Sequence, residues 1–247
     1  MKTFLVNLDK NPERLAFMDG QLKRLGISYE RIPAVYGVNL TAEQKRSTYS
    51  SFRARLVRGT PLSDGEIGCA LSHCAIYRQM AQENIKVALV LEDDIVISVE
   101  FPAVLKEAIA GLDKDKGQVV IFSDYGVPQD NRPKHGIVST DVAHCTDVYL
   151  ITLPAAKRIL ATNTPVITVA DAWIRWSRLF GIELYHAFPT TVRQDNDRFG
   201  TDVADWDLGT HGLRPCVKQR GIVASVLHIT ARACEVSLDW LLCRVGL

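Results

Sequence analysis

The sequence predicts an α/β fold with a mostly parallel central sheet flanked by helices. Three observations carry that prediction. The run Val87–Leu91, VALVL, is apolar at every position, the pattern of a strand buried on both faces of a parallel sheet. The stretches QVVIF at 118–122 and DVYLIT at 147–152 repeat the pattern. The first 34 residues read as strand, helix and strand, a βαβ unit.

The elements follow in order. Thr3–Leu8, TFLVNL, is a short buried strand. Pro12 opens a helix, because its fixed φ suits the first helical position. Leu15, Met18, Leu22 and Leu25 then recur on one helical face, and Gly26 stops it. Ile27–Ala34 is the second strand, ending near Pro33. Thr41–Gly59 reads as irregular and basic, with Lys45, Arg46, Arg53, Arg55 and Arg58 against Glu43. It is either a solvated face or a docking patch for an anionic acceptor or membrane surface.

Leu62–Ala81 reads as a helix. Ser63 and Glu66 form a capping box, and Ile67, Leu71 and Cys74 follow helical spacing. Gly65 and Gly68 each cost about 1 kcal/mol in a helix relative to alanine. Their presence implies close packing against the backbone there. Cys69 and His73 stand at i, i+4 and can chelate a metal, although two ligands alone do not make a site; a hydrogen-bonded core histidine is the plainer alternative.

Glu100–Leu112 is an amphipathic helix, Gln118–Phe122 a strand, Pro128–Ser139 a polar loop and Asp147–Thr152 a strand. Pro154 opens a further helix. Val169–Phe180 is a helix carrying Trp173, Arg175 and Trp176, with Asp171 in its first turn. Ile182–Phe188 is a late strand. Thr190–Gly221 is polar and glycine-punctuated, and Val236–Val245 is a short C-terminal helix. The expected division is a ligand-binding domain over 1–188 and a C-terminal extension over 189–247, packed on the same domain.

Composition excludes several classes. The 247 residues are 23% charged and 47% hydrophobic, with a net charge of +1, so no basic field argues for nucleic acid. No apolar run reaches the roughly 20 residues that span a bilayer. The start, MKTFLVNLDKN, turns polar too soon for a signal peptide. A cytoplasmic protein is expected, with peripheral contact to the cytosolic face of a membrane as the variant. The six cysteines (Cys69, Cys74, Cys145, Cys216, Cys234, Cys243) have no CxxC spacing and read as reduced thiols.

The chemistry gathers at Glu92, Asp93 and Asp94, directly after the apolar run. Three adjacent carboxylates repel one another and resist desolvation. A hard divalent cation, Mg²⁺ or Mn²⁺, relieves them and leaves positions for substrate phosphates. A solvated acidic turn is the alternative. Near the first strand's end, Asn7 and Asp9 can bond a base or ribose and Arg14 a phosphate. Asp9 or Asn11 can equally cap the helix. Asp171 is either a carboxylate complementing a helix dipole or a general base beside aromatic residues.

LVNLDKNPERL, LSDGEIGCALSHCAIY, VLEDD and DVYLIT, in that order, resemble the family 25 glycosyltransferases, which include bacterial lipooligosaccharide galactosyltransferases. The resemblance covers about residues 3–175. It implies a GT-A type, Rossmann-like fold, a UDP-sugar donor (most often UDP-galactose), Mn²⁺ or Mg²⁺, and inversion at the anomeric carbon. It implies Asp94 and Glu92 as metal ligands, and places Asn7, Asp9, Arg14, Gly65, Glu66, Ser72, His73 and Asp93 at the donor. Asp171 becomes the first choice of base, with Asp124 or Asp147 second; Trp173 and Gln194 fall on the acceptor side. The implied acceptor is an oligosaccharide or glycolipid. Two alternatives use the same residues differently: a metal-dependent nucleotidyltransferase or nucleotide-sugar hydrolase, and a glycan-binding module with Trp173, Trp176 and Tyr185 as its platform.

Overall fold

A computed structural model describes residues 1–123 and 132–199, with Asn196 and Asp197 described by backbone alone. Asp124, most of the polar Thr190–Gly221 stretch, the C-terminal helix and Cys216, Cys234 and Cys243 lie outside the described residues.

The order is β1 (Lys2–Asn7), α1 (Pro12–Arg24), β2 (Glu30–Pro33), a 3₁₀ turn (Gly37–Asn39), α2 (Ala42–Thr48), α3 (Ser51–Arg58) and α4 (Asp64–Gln82). Then come β3 (Val87–Leu91), β4 (Ile95–Ile97), α5 (Phe101–Gly111), β5 (Gln118–Ile121), β6 (Gly136–Ser139) and β7 (Val148–Thr152). The last are α6 (Leu153–Thr162), α7 (Trp173–Phe180), β8 (Glu183–Phe188), β9 (Val192–Gln194) and α8 (Asn196–Phe199).

Seven strands form one sheet in the order β2-β1-β3-β7-β5-β8-β6. β1 pairs in parallel with β2 and β3, and β5 with β8, while β7 and β6 run against their neighbours. The sheet is therefore mixed but mostly one-directional. Both faces are covered, as the unbroken apolar run of β3 requires. Ala88 and Val90 pack with Ile76 and Tyr77 of α4 and Ile159 of α6. Val87, Leu89 and Leu91 pack with Met18 and Leu22 of α1 and Phe101 of α5.

Ile95–Ile97 lie outside the main sheet and pair antiparallel with β9 in a separate two-stranded ribbon. Three expectations need correction. Residues 42–58 are helical rather than irregular: Thr41 caps α2 through a capping box, and Ser50 caps α3. Gly136–Ser139, expected within a polar loop, forms the edge strand beside β8. Asp171 precedes α7 instead of lying in its first turn, because Ala172 holds the cap position.

Candidate active site

β1, β2 and β3 are sheet neighbours, so their carboxyl ends open on one space. A cleft of about 170 Å³ lies there. Asn7 and Leu8 after β1, Val35 and Tyr36 after β2, and Glu92, Asp93 and Asp94 after β3 form its walls. Helix α4 closes one side with Gly65, Cys69, Ser72 and His73, and Gln194 of β9 reaches the opposite rim.

Each wall has a local cause. Ser63 accepts from the Glu66 backbone and Glu66 Oε2 accepts from the Ser63 N–H at 2.7 Å, the capping box expected at the start of α4. Glu66 also pairs with Arg58 at 3.0 Å, so its carboxylate is held by the helix cap and α3, and it is not part of the cleft lining. Gly68 explains the glycine-rich first turns: a Cβ there would lie 2.4 Å from the Val35 carbonyl oxygen and 2.7 Å from the Gly37 nitrogen. Gly37 is as tight, since its Cβ would overlap the Asp64 carbonyl. Ser72 accepts from the Val35 N–H at 2.8 Å and donates to the Gly68 carbonyl at 2.7 Å, tying α4 to the segment after β2. Its hydroxyl is thus a wall fixture.

The three carboxylates have three different fates. Asp93 accepts from Asn7 Nδ2 at 2.6 Å and from Arg14 at 3.3 Å. Arg14 also donates to the Phe199 carbonyl at 2.7 Å and lies over the Phe199 ring. Arg14, expected at a phosphate, therefore holds Asp93 and the chain after β9. Burial pushes the Asp93 carboxyl up from its ordinary value, against the pull of Asn7 and Arg14. Glu92 accepts from the Thr146 hydroxyl, and its Oε1 lies 3.4 Å from His73 Nε2. Asp94 is the exception. Its Oδ1 is buried without a hydrogen-bond partner, and Oδ2 is 3.9 Å from Arg14. Burial first, then the charges of Glu92 and Asp93, push Asp94 up to about 7.

Asp9 lies at the exposed rim, where Arg31 of β2 reaches it. The same Arg31 donates to Asn7 Oδ1 at 2.9 Å. Asn11 occupies the cap position of α1 but makes no side-chain cap bond; its backbone oxygen accepts from Asn7 Nδ2 at 3.0 Å. Asp171 is partly buried, and its Oδ2 accepts from the Cys145 N–H at 3.3 Å. Burial pushes its carboxyl up, and Glu92 adds to the effect. Asp147 is fully buried; Oδ1 accepts from Ser123 and the Val148 N–H, and Oδ2 has no partner. Burial pushes it up to about 7. Trp173 and Trp176 are core residues. Trp173 packs edge-on against Tyr149 and Trp176 and donates to the Cys145 carbonyl at 2.7 Å, so neither ring offers an open platform to a sugar.

Sequence reasoning missed Thr146, Arg31 and Tyr149. The antiparallel register of β3 and β7, continued by Glu92 N–H donating to the Asp147 carbonyl at 2.9 Å, brings Thr146 to Glu92. Only the pairing reveals that. Arg31 did carry a signal, a lone cation within a predicted strand beside the Asn7 motif.

Comparison with known proteins bears on this arrangement. The model of "Glycosyltransferase family 25 (LPS biosynthesis protein)" matches residues 1–174. The chain belongs to glycosyltransferase family 25. Its curated relatives include procollagen galactosyltransferase 1-A of Xenopus laevis, 30% identical over 173 residues, covering 64% of this chain and 28% of that protein. Human procollagen galactosyltransferase 2 is 25% identical over 178 residues, covering 65% and 27%. These relatives are animal proteins, whereas the resemblance had pointed to bacterial ones. The chain spans under a third of their length. Among solved structures, galactosyltransferase LgtC in complex with donor and acceptor sugar analogs matches with a TM-score of 0.35 and 13% identity, over 80% of this chain and 68% of that one.

Proposed function

We propose that this family 25 chain is an inverting glycosyltransferase that moves a hexose, galactose from UDP-galactose first among the candidates, onto a saccharide acceptor. One observation carries the reading: Asp94 presents a buried carboxylate oxygen with no partner to a cleft at the carboxyl ends of three adjacent strands. That is where open α/β sheets bind ligands. The names of the relatives share the galactosyl group, which favours that donor. They differ on the acceptor, procollagen in one case and lipopolysaccharide in the family description. A bacterial surface oligosaccharide or glycolipid remains our proposed acceptor class.

The donor set fits a hard divalent ion, Mn²⁺ or Mg²⁺. Asp94 would hold it, with Glu92 as the second ligand, since Asp93 is already neutralised by Arg14. The Asp94 carboxyl is pushed up to about 7, so a bound cation would compete with its proton near neutral pH. When bound, such an ion neutralises charge on a departing diphosphate. The rest belongs to side chains of this chain. Asn7 and the Leu8 turn line the cleft where a base or ribose would lie, and Gly65 of α4 lines it from the other wall. Asp171, raised by burial, takes the acceptor hydroxyl proton; a base works best when its pKa approaches the working pH. Gln194, which lines the cleft, would meet the acceptor. Residues 189–247 form the acceptor-side extension, beginning with β9.

The polypeptide also has a face suited to peripheral membrane contact. Phe52 and Leu56 of α3 are exposed beside Arg55. No helix among the described residues is long and apolar enough to cross a membrane.

The test is to incubate the protein with Mn²⁺ and a panel of UDP-sugars and follow UDP release and product. Glycosyl transfer releases UDP, and Asp171→Asn lowers kcat with little change in KM. Release of pyrophosphate would make the chain a nucleotidyltransferase instead, and saccharide binding indifferent to UDP and metal would make it a binding module.

A further inference from the structure

Cys69 and His73 lie one turn apart on α4, so both face the carboxyl end of β3. There they meet Glu92. One ligand atom from each, the Cys69 sulfur, a His73 ring nitrogen and a Glu92 carboxylate oxygen, lie within 4.8 Å of one another. We propose that Cys69, His73 and Glu92 form a site for a soft divalent cation, zinc above all, with its fourth position open to the cleft.

The state of His73 carries this furthest. The residue is 1% exposed. Nδ1 lies 2.7 Å from the Tyr149 hydroxyl, which leaves Nε2 buried, aimed at Glu92 and without a hydrogen-bond partner. An unmade bond at a buried ring nitrogen costs about 1–3 kcal/mol, so a histidine kept this way calls for a ligand. The distance to Glu92 Oε1 is 3.4 Å. That is long for a hydrogen bond. It matches two ligands on one tetrahedral ion: bonds of about 2.0–2.1 Å at the tetrahedral angle separate nitrogen and oxygen by roughly 3.4 Å.

The surroundings suit a ligating imidazole. Coordination through Nε2 requires a proton on Nδ1, and the Tyr149 oxygen accepts it there. Tyr149 is braced in turn by the Tyr77 hydroxyl at 2.7 Å. Thr146 donates to Glu92 and orients the carboxylate. Such outer partners fix ring and carboxylate in zinc sites. The sulfur ligand separates this site from the hard, all-oxygen position at Asp94, because thiolate selects zinc over magnesium and manganese. Three protein ligands with a free fourth position describe an open site rather than a closed structural one. All three residues line the cleft. Because Glu92 is shared, zinc bound here would also lower any Mn²⁺-dependent activity.

The proposal does not depend on glycosyl transfer, and its test omits donor and acceptor. Cobalt(II) is titrated into the chelator-stripped, reduced full chain. One equivalent should give the thiolate-to-cobalt charge-transfer band and the intense visible bands of tetrahedral cobalt. Zinc should bleach both, and excess Mn²⁺ should not. Cys69→Ser should lose the charge-transfer band, Cys74→Ser should keep it, and Tyr149→Phe should weaken binding roughly 10- to 100-fold. Asp94→Asn should retain the spectrum. Loss of the spectrum in Asp94→Asn, or its survival in Cys69→Ser, overturns the site. If Cys69→Ser does not fold, the unaltered chain still decides: zinc must shield Cys69 from alkylation, read by peptide mass, and unchanged labelling refutes the proposal.

Discussion

The acidic turn after β3 has two unlike sides. Toward the N-terminal motif everything is matched: Asp93 takes bonds from Asn7 and Arg14, and Arg31 holds Asn7 and Asp9. Toward α4 and β7 the matching is incomplete: Thr146 reaches Glu92, but other groups are left over. Among the described residues four buried side-chain polar atoms lack a hydrogen-bond partner, and three of them belong to His73, Asp94 and Asp147. Native interiors rarely leave such groups unpaired. The matched side fixes the turn; on the other side buried polar atoms stand without a protein partner. Three consecutive acids thus do unrelated work, and their shared charge says nothing of which is which.

The largest effect expected is from making the matched side resemble the other. Arg14→Met leaves Asp93 buried without its cation and frees the Phe199 carbonyl. Breaking a buried pair from one side costs about 3–5 kcal/mol. Urea denaturation should show that loss, and Arg14→Met combined with Asp93→Asn should recover much of it. Full stability in the single variant would mean that the Asp93 pair is incidental.

Next is Asp94→Asn, on the unmatched side. The fold should persist, because no hydrogen bond to Oδ1 is lost. UDP release from the donor should fall roughly 100-fold or more, the scale of several kcal/mol of charge stabilisation. Wild-type turnover in this variant would remove Asp94 from the mechanism.

Part of this arrangement is legible in the sequence. Apolar continuity gave β3 and its two covered faces, and the Ser63–Glu66 spacing gave the start of α4. Continuity alone does not assign Ile95–Ile97, which are as apolar as VALVL yet pair with β9, a partner about a hundred residues away that no local pattern names. Helix α3 escaped notice because only Ala54 of it is buried, so no apolar stripe marks it. Trp173 reads in sequence as an acceptor-side residue, and in one alternative as a sugar platform, because an aromatic beside an aspartate looks the same whether it faces a cleft or the core. The three acids stand together in sequence; their separate partners, Arg14, Thr146 and His73, come from elements joined only by the fold.

A third prediction concerns pH. Asp147 is pushed up to about 7 by burial, against roughly 3.9 in an unfolded chain. Its raised value means that the folded state holds this proton more tightly than the unfolded state. Stability from this group is complete below about pH 4 and is lost as pH rises to about 7, on the order of 4 kcal/mol. Asp147→Asn keeps an oxygen for Ser123 and the Val148 N–H and cannot ionise. In metal-free protein its Tm, relative to wild type, should climb between pH 5 and pH 8. A pH-independent difference would show that Asp147 titrates normally.

The smallest effect expected tests whether the cleft depends on its wall as well as its acids. Gly68→Ala puts a methyl group 2.4 Å from the Val35 carbonyl oxygen and 2.7 Å from the Gly37 nitrogen. Both are backbone atoms, so no side chain can swing aside, and α4 must move off the segment after β2. Overpacking of this kind costs about 1–3 kcal/mol. The displacement would stretch the Ser72 bond to the Val35 N–H and shift Gly65, Cys69 and His73 together, since they share the helix. Donor KM should therefore rise along with the loss in stability, while Asp93 and Arg14, on the far side of the turn, keep their pairing. A variant that loses stability with an unchanged donor KM would confine Gly68 to packing and detach the α4 wall from donor binding.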